Sequence, residues 1–249
     1  MATRSWCSLP TKVVRITALL RGAPYEESED VQAKLDLGAN PDLADNEGNT
    51  PLMNAAASGN LAAIEVLIKA GAKPNLVNKS GKTALLLAVS SDASIEEKEI
   101  PDVVKLLIKG GADPNLRDAG NNTALITAIT SYRSTPELIQ AVLDAKPDVA
   151  LRDNEGQDAL FHAVLRTRGQ PIIERLLALG ADLKTSNSDG TDLLMLAAAG
   201  NDPAQVRFFM EHGLSPDRKS KSGATAVHGA VRAGRWVSEE PRIDSIEKR

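Results

Sequence analysis

Apolar residues along this chain fall into short stripes at helical spacing, separated by polar turns that return at a near-constant interval. Residues three and four apart share one face of a helix. Leu67 with Ile68, Leu107 with Ile108, Val142 with Leu143, Leu176 with Leu177 and Phe209 with Met210 each lie three and four residues before a small turn. Seven residues before the same turns stand Ile64, Val104, Ile139, Ile173 and Val206, and Val31 heads an earlier, weaker copy with Lys34 at an expected core position. The turns are "LGANPD", "AGAKPN", "GGADPN", "LGADLK" and "HGLSPD", with glycines at 38, 71, 111, 180 and 213. Glycine after an apolar stripe predicts a left-handed helix end. The fourth turn, "AKPDVALRD", puts Lys146 at that position; this would cost on the order of 1 kcal/mol, so a locally altered turn is expected there.

A shorter helix precedes each stripe. Its start is read from "ITALL", "NTPLM", "KTALL", "NTALI", "QDALF", "TDLLM" and "ATAVH", with N-caps at Thr17, Thr50, Thr83, Thr123, Asp158, Asp192 and Thr225. Both residue types accept a bond from a first-turn amide, and proline, as at Pro51, suits the first helical position. Each turn position lies 12 residues before the next cap, as from 38 to 50 or from 213 to 225. All length variation therefore falls between the two helices. The longest insertion, "SSDASIEEKEIPD" at 90–102, predicts a solvated loop, and prolines 101, 136, 171 and 203 mark second-helix starts. Gly59 predicts a short-helix terminator, with a counterpart at Gly234 and with Gly200 one place early. One such helix pair cannot bury its apolar face alone, so the copies must stack and the end copies must be polar outside.

The period, the T-P-L-x-x-A helix start and the G-A-D-x-N turn together resemble the ankyrin repeat. "NTPLMNAA…GNLAAIEVLIKAGAKPN" follows that pattern nearly throughout. The resemblance implies an all-α fold, an ankyrin-repeat solenoid of stacked helix-turn-helix units with β-turn fingers. It spans 15–235 in seven copies, after an N-terminal extension at 1–14 and before a polar C-terminal cap or tail at 236–249. His228 fills the histidine place of T-P-L-H, where the family role is structural.

Composition narrows the function. The net charge of -4 lacks the basic excess of a nucleic-acid binder, and no run approaches a membrane span. Cys7 stands alone, which excludes an internal disulfide. Arg4, Lys12, Arg15 and Arg21, with no acid among the first 25 residues, faintly resemble a transit segment; the repeat register from Thr17 favours an N-terminal cap. His162, His212 and His228 sit at three different repeat positions, so no metal or triad spacing forms. Asp45, Asp118 and Asp153 recur at one repeat position, which reads as turn hydrogen bonding. No catalytic, cofactor-binding or metal site is expected, and the chain reads as a non-enzyme.

What the resemblance implies is a cytoplasmic, monomeric protein-binding scaffold. Its concave face, made of turn tips and first-helix surface, would grip another protein. Arg117, Arg152 and Arg166, with Tyr132, Arg133 and Arg168 nearby in the chain, predict a basic, partly aromatic contact region for an acidic partner, with no nucleic acid or membrane involved. Two other readings stay open: a dedicated inhibitor or immunity-type protein for one enzyme or toxin, and the adaptor portion of a larger multidomain enzyme.

Overall fold

The computed structural model describes residues 19, 22–24, 27–90, 97–166, 169–200 and 202–232. The first cap Thr17, the extension at 1–14, Cys7, Arg168, Gly234 and the tail at 236–249 lie outside them. The described residues form helices only, apart from two isolated bridges, Arg152–Asp158 and Ser186–Asp192. The chain divides into two compact units, Met1–Asp148 and Val149–Arg249.

The first unit holds α1 (Ser28–Asp36), α2 (Pro51–Ser58), α3 (Leu61–Lys69), α4 (Ala84–Val89), α5 (Ile100–Lys109), α6 (Ala124–Thr130) and α7 (Pro136–Leu143). Within a copy the short helix packs on the longer one: α2 on α3, α4 on α5, α6 on α7. Between copies short meets short, α2 with α4 and α4 with α6, and long meets long, α1 with α3, α3 with α5 and α5 with α7. Two helix layers result. The second unit repeats the pairing with α8 (Ala159–Val164), α9 (Gln170–Ala178), α10 (Leu193–Ala199), α11 (Pro203–Glu211) and α12 (Ala226–Arg232); α8 packs on α9 and α10, and α10 on α11 and α12.

Local chemistry explains where the short helices begin. Thr50, Thr83 and Thr123 accept the amides of Met53, Leu86 and Ile126 through Oγ1 at 3.2–3.3 Å, and Asp158 and Asp192 accept those of Phe161 and Met195 at 2.9 Å. In the last copy the Thr225 hydroxyl bonds the His228 ring at Nδ1, 2.9 Å away, which gives that histidine a structural part. Leu52, Leu85, Leu125, Leu160 and Leu194, two residues after each cap, are buried. Each contributes about 1.5–3 kcal/mol on leaving water, so the stack rests on this recurring row. The long helices bury a narrower stripe than the sequence predicts. Ile64 and Leu67 are buried while Ile68 is half-buried, and Val206 is half-buried where Val104 and Ile173 are buried.

At three places the structure refines or corrects the expectation. Lys146 takes the left-handed conformation itself, at φ 51, so the path of the turn is kept and the alteration lies in its bonding. Its amide donates to Leu143 O at 2.9 Å, as that of Gly71 donates to Ile68 O at 3.0 Å. What is lost is the next bond, the counterpart of Ala72 N–H to Leu67 O, because Pro147 has no N–H. Gly200 ends α10 as its C-cap, as expected of a terminator, but does so right-handed at φ -75 with its amide on Leu196 O, whereas Gly59 is left-handed at φ 76. Finally, residues 100–102, read as loop, open α5, with Pro101 in its first turn.

Candidate functional site

Between each long helix and the next short one the chain makes a finger. At the finger's base a short polar side chain holds the turn from inside. Asp45 Oδ1 accepts the amides of Glu47 and Asn49, both at 2.8 Å. Asn78 does the same for Ser80 and Lys82, Asp118 for Gly120 and Asn122, Asp153 for Glu155 and Gln157, and Asn187 for Asp189 and Thr191. Ser220 Oγ accepts from Ala224. An Asx side chain bonding the amides two and four residues on is a local device that needs no partner element. The aspartates singled out by spacing thus act as turn braces, and Asn78, Asn187 and Ser220 belong with them.

Each tip then turns through a left-handed residue, and within each unit neighbouring tips meet. Lys79 N–H donates to Glu47 O at 3.0 Å and Ala119 N–H to Ser80 O at 3.4 Å in the first unit. In the second, Ser188 N–H donates to Glu155 O at 3.0 Å and Lys221 N–H to Asp189 O at 2.8 Å. The approach is close enough that a Cβ on Gly81, itself at φ 73, would stand 3.1 Å from the Ala119 nitrogen. Asn121 carries the left-handed turn at φ 59 where the other copies use glycine. Side chains at the tips, such as Asn46, Glu47, Lys79, Ser80, Ala119, Glu155, Ser188, Asp189 and Lys221, remain exposed.

The expected contact residues occupy two kinds of place. Arg117 is exposed in the finger ahead of α6, whereas Tyr132 and Arg133 lie in the loop behind it. At 1.5 Å per residue, seven-residue α6 separates the two places by about 10 Å. Tyr132 is 80% exposed. In the second unit Arg152 is in the finger ahead of α8 and Arg166 follows α8; Arg168 lies outside the described residues.

Arg152 is already engaged within its own unit. Its Nη1 donates to Ser186 O at 2.8 Å and its Nη2 to Thr185 Oγ1 at 3.0 Å. Thr185 in turn donates to Asp158 Oδ2, so one polar chain ties a finger, the next finger and a helix cap. Asp192, the other aspartate cap, has Arg218 Nε 3.7 Å from its Oδ2. A third pair escaped the sequence reading: His162 Nε2 stands 2.8 Å from Asp153 Oδ2, both side chains being largely buried. The nine-residue separation from turn to helix was visible in the chain, but it identifies a contact only once the finger's geometry is known. Among the described residues no group of three metal-ligating side chains forms, and no helix is long and apolar enough to cross a membrane.

The family profile described as "Ankyrin repeats (3 copies)" matches residues 19–97 and 92–187. No curated protein matches the chain. Among solved structures, it is similar to the ankyrin repeat domain of Bcl-3, a member of the IkappaB protein family. The TM-score is 0.71 at 24% identity, covering 87% of this chain and 92% of that one. At that identity the likeness speaks for the fold alone.

Proposed function

Because the chain belongs to the ankyrin repeat family, whose repeats generally mediate protein–protein interaction, we propose that it is a non-enzymatic scaffold binding a partner protein through its finger tips and first-helix ends. The observation that carries this reading is the ladder of tip-to-tip backbone bonds. Within each unit it holds the fingers in register through main-chain atoms and leaves the tip side chains exposed for another surface.

The partner's contact face is acidic. Exposed Lys79 and Arg117 in the first unit, and Lys219 and Lys221 in the second, present cations on the fingers, and such charge chiefly speeds and orients encounter. Tyr132 adds a large, highly exposed aromatic of the kind enriched at interface anchors. Arg152 contributes less directly, since its guanidinium is spent on the neighbouring finger.

The test is affinity capture from the source organism's lysate by the whole chain, beside an Arg117→Glu, Tyr132→Ala variant. Both residues are exposed, so the variant should fold normally. One dominant protein held by the wild type and lost from the variant is the expected result. Capture of nothing, or of nucleic acid, counts against a protein-binding scaffold; equal capture by both chains moves the site away from these residues.

A further inference from the structure

Val227 and Val231 lie four residues apart on α12 and are 50% and 73% exposed. Their repeat counterparts are Leu52 and Ala56, Leu85 and Val89, Leu125 and Ile129, Leu160 and Val164, and Leu194 and Ala198, and every one of these is buried. In each of those copies a long helix follows and packs on the short one. After α12 the described residues stop at Arg232, while the chain continues through residues 233–249. That stretch carries Trp236, Val237, Ile243 and Ile246 among polar residues.

We propose that the apolar face of α12 at Val227 and Val231 is a docking surface for the chain's own segment 235–246, with Trp236 as its anchor. The end of a repeat stack is normally polar, and an apolar end left bare is an association hazard. The segment can reach. Trp236 is five residues beyond Val231, and an extended chain of that length spans about 17 Å, well past the 8–10 Å that separates packed helices. A regular long helix in the same register is not the occupant. The places of Ile64 and Leu67 are taken by Glu239 and Arg242, and Pro241 would interrupt such a helix. A tryptophan covers a two-valine face with one large side chain that has few torsions to fix.

The test uses the full chain with Trp6→Phe, so that emission comes from Trp236 alone. Expected are a short-wavelength emission and weak acrylamide quenching. Both should revert to solvent-like values when Val227→Lys and Val231→Lys are added with helical circular dichroism unchanged. Should that variant lose helicity, Trp236→Ala in the natural chain replaces it, and faster amide exchange across α12 is then expected. Solvent-like Trp236 emission before any change at the valines overturns the proposal, as does unaltered α12 exchange in Trp236→Ala. A buried-type signal that survives the lysines also overturns it, since Trp236 then docks elsewhere. So does a signal lost on dilution together with a fall in sedimenting mass, which would assign the face to a second copy.

Discussion

Thr185 donates its hydroxyl to the Asp158 carboxylate oxygen that the helix cap leaves over, and both residues are buried. A threonine cap has one oxygen, which the first-turn amide occupies. An aspartate cap has two, and the second would be a buried, unpaired acceptor. The repeat register pairs cap type with this need. Opposite the threonine caps Thr50 and Thr83 the corresponding positions are Leu76 and Leu116, and opposite Asp158 and Asp192 they are Thr185 and Arg218.

Thr185→Val should therefore cost roughly 1–3 kcal/mol, the range for stranding a buried acceptor. Pairing Asp158→Thr with Thr185→Leu restores the arrangement of the other copies and should recover most of the loss. Urea unfolding of Asp158→Thr, Thr185→Leu and the double of these two reads the coupling; simple additivity would sink the account.

Arg152→Ala and Arg117→Ala separate two arginines at the same repeat position. The first loses bonds to Ser186 and Thr185 and should lower stability by about 1 kcal/mol. The second removes an exposed side chain and should stay within about 0.5 kcal/mol. Thermal unfolding of both decides it, and equal effects would mean that the Arg152 bonds contribute nothing in solution.

Gly81→Ala tests the tip ladder. The new methyl meets the Ala119 backbone at 3.1 Å in a left-handed turn, so a loss on the order of 1–2 kcal/mol is expected. Amide exchange at Ala119, the donor to Ser80, should accelerate; unchanged protection there would show that the tips are held by something else.

Lys146→Gly should stabilise the protein. Lys146 adopts φ 51, and relieving a side chain of that conformation is worth up to about 1 kcal/mol. The gain is reduced by the greater freedom of glycine in the unfolded chain. A raised unfolding midpoint is expected, and a lowered one would show that the lysine side chain holds the turn by a contact of its own.

The caps and helix ends were legible because their chemistry is local: Thr50 and Met53, or Gly71 and Ile68, lie within one turn of chain. The aspartate braces were half legible, since Asn78 and Ser220 serve the same purpose under other letters. The tip residue was obscured in the fourth copy, where Gly120 is adjacent but Asn121 makes the left-handed turn. Arg152 could be recognised as a prominent cation but not as a committed one. Its partners are 33 and 34 residues away, and only the stacked fingers bring them within reach.

The tip-to-tip ladder separates what a mutation at a fingertip does to architecture from what it does to contact. At Lys79, Ser188 and Lys221 the bond to the neighbouring finger is made by the backbone amide, and the side chain takes no part in it. Such positions can change charge, size or polarity while the spacing of the fingers persists. A lineage can therefore drift through many surface chemistries, or a selection experiment can search them, on an unchanged frame.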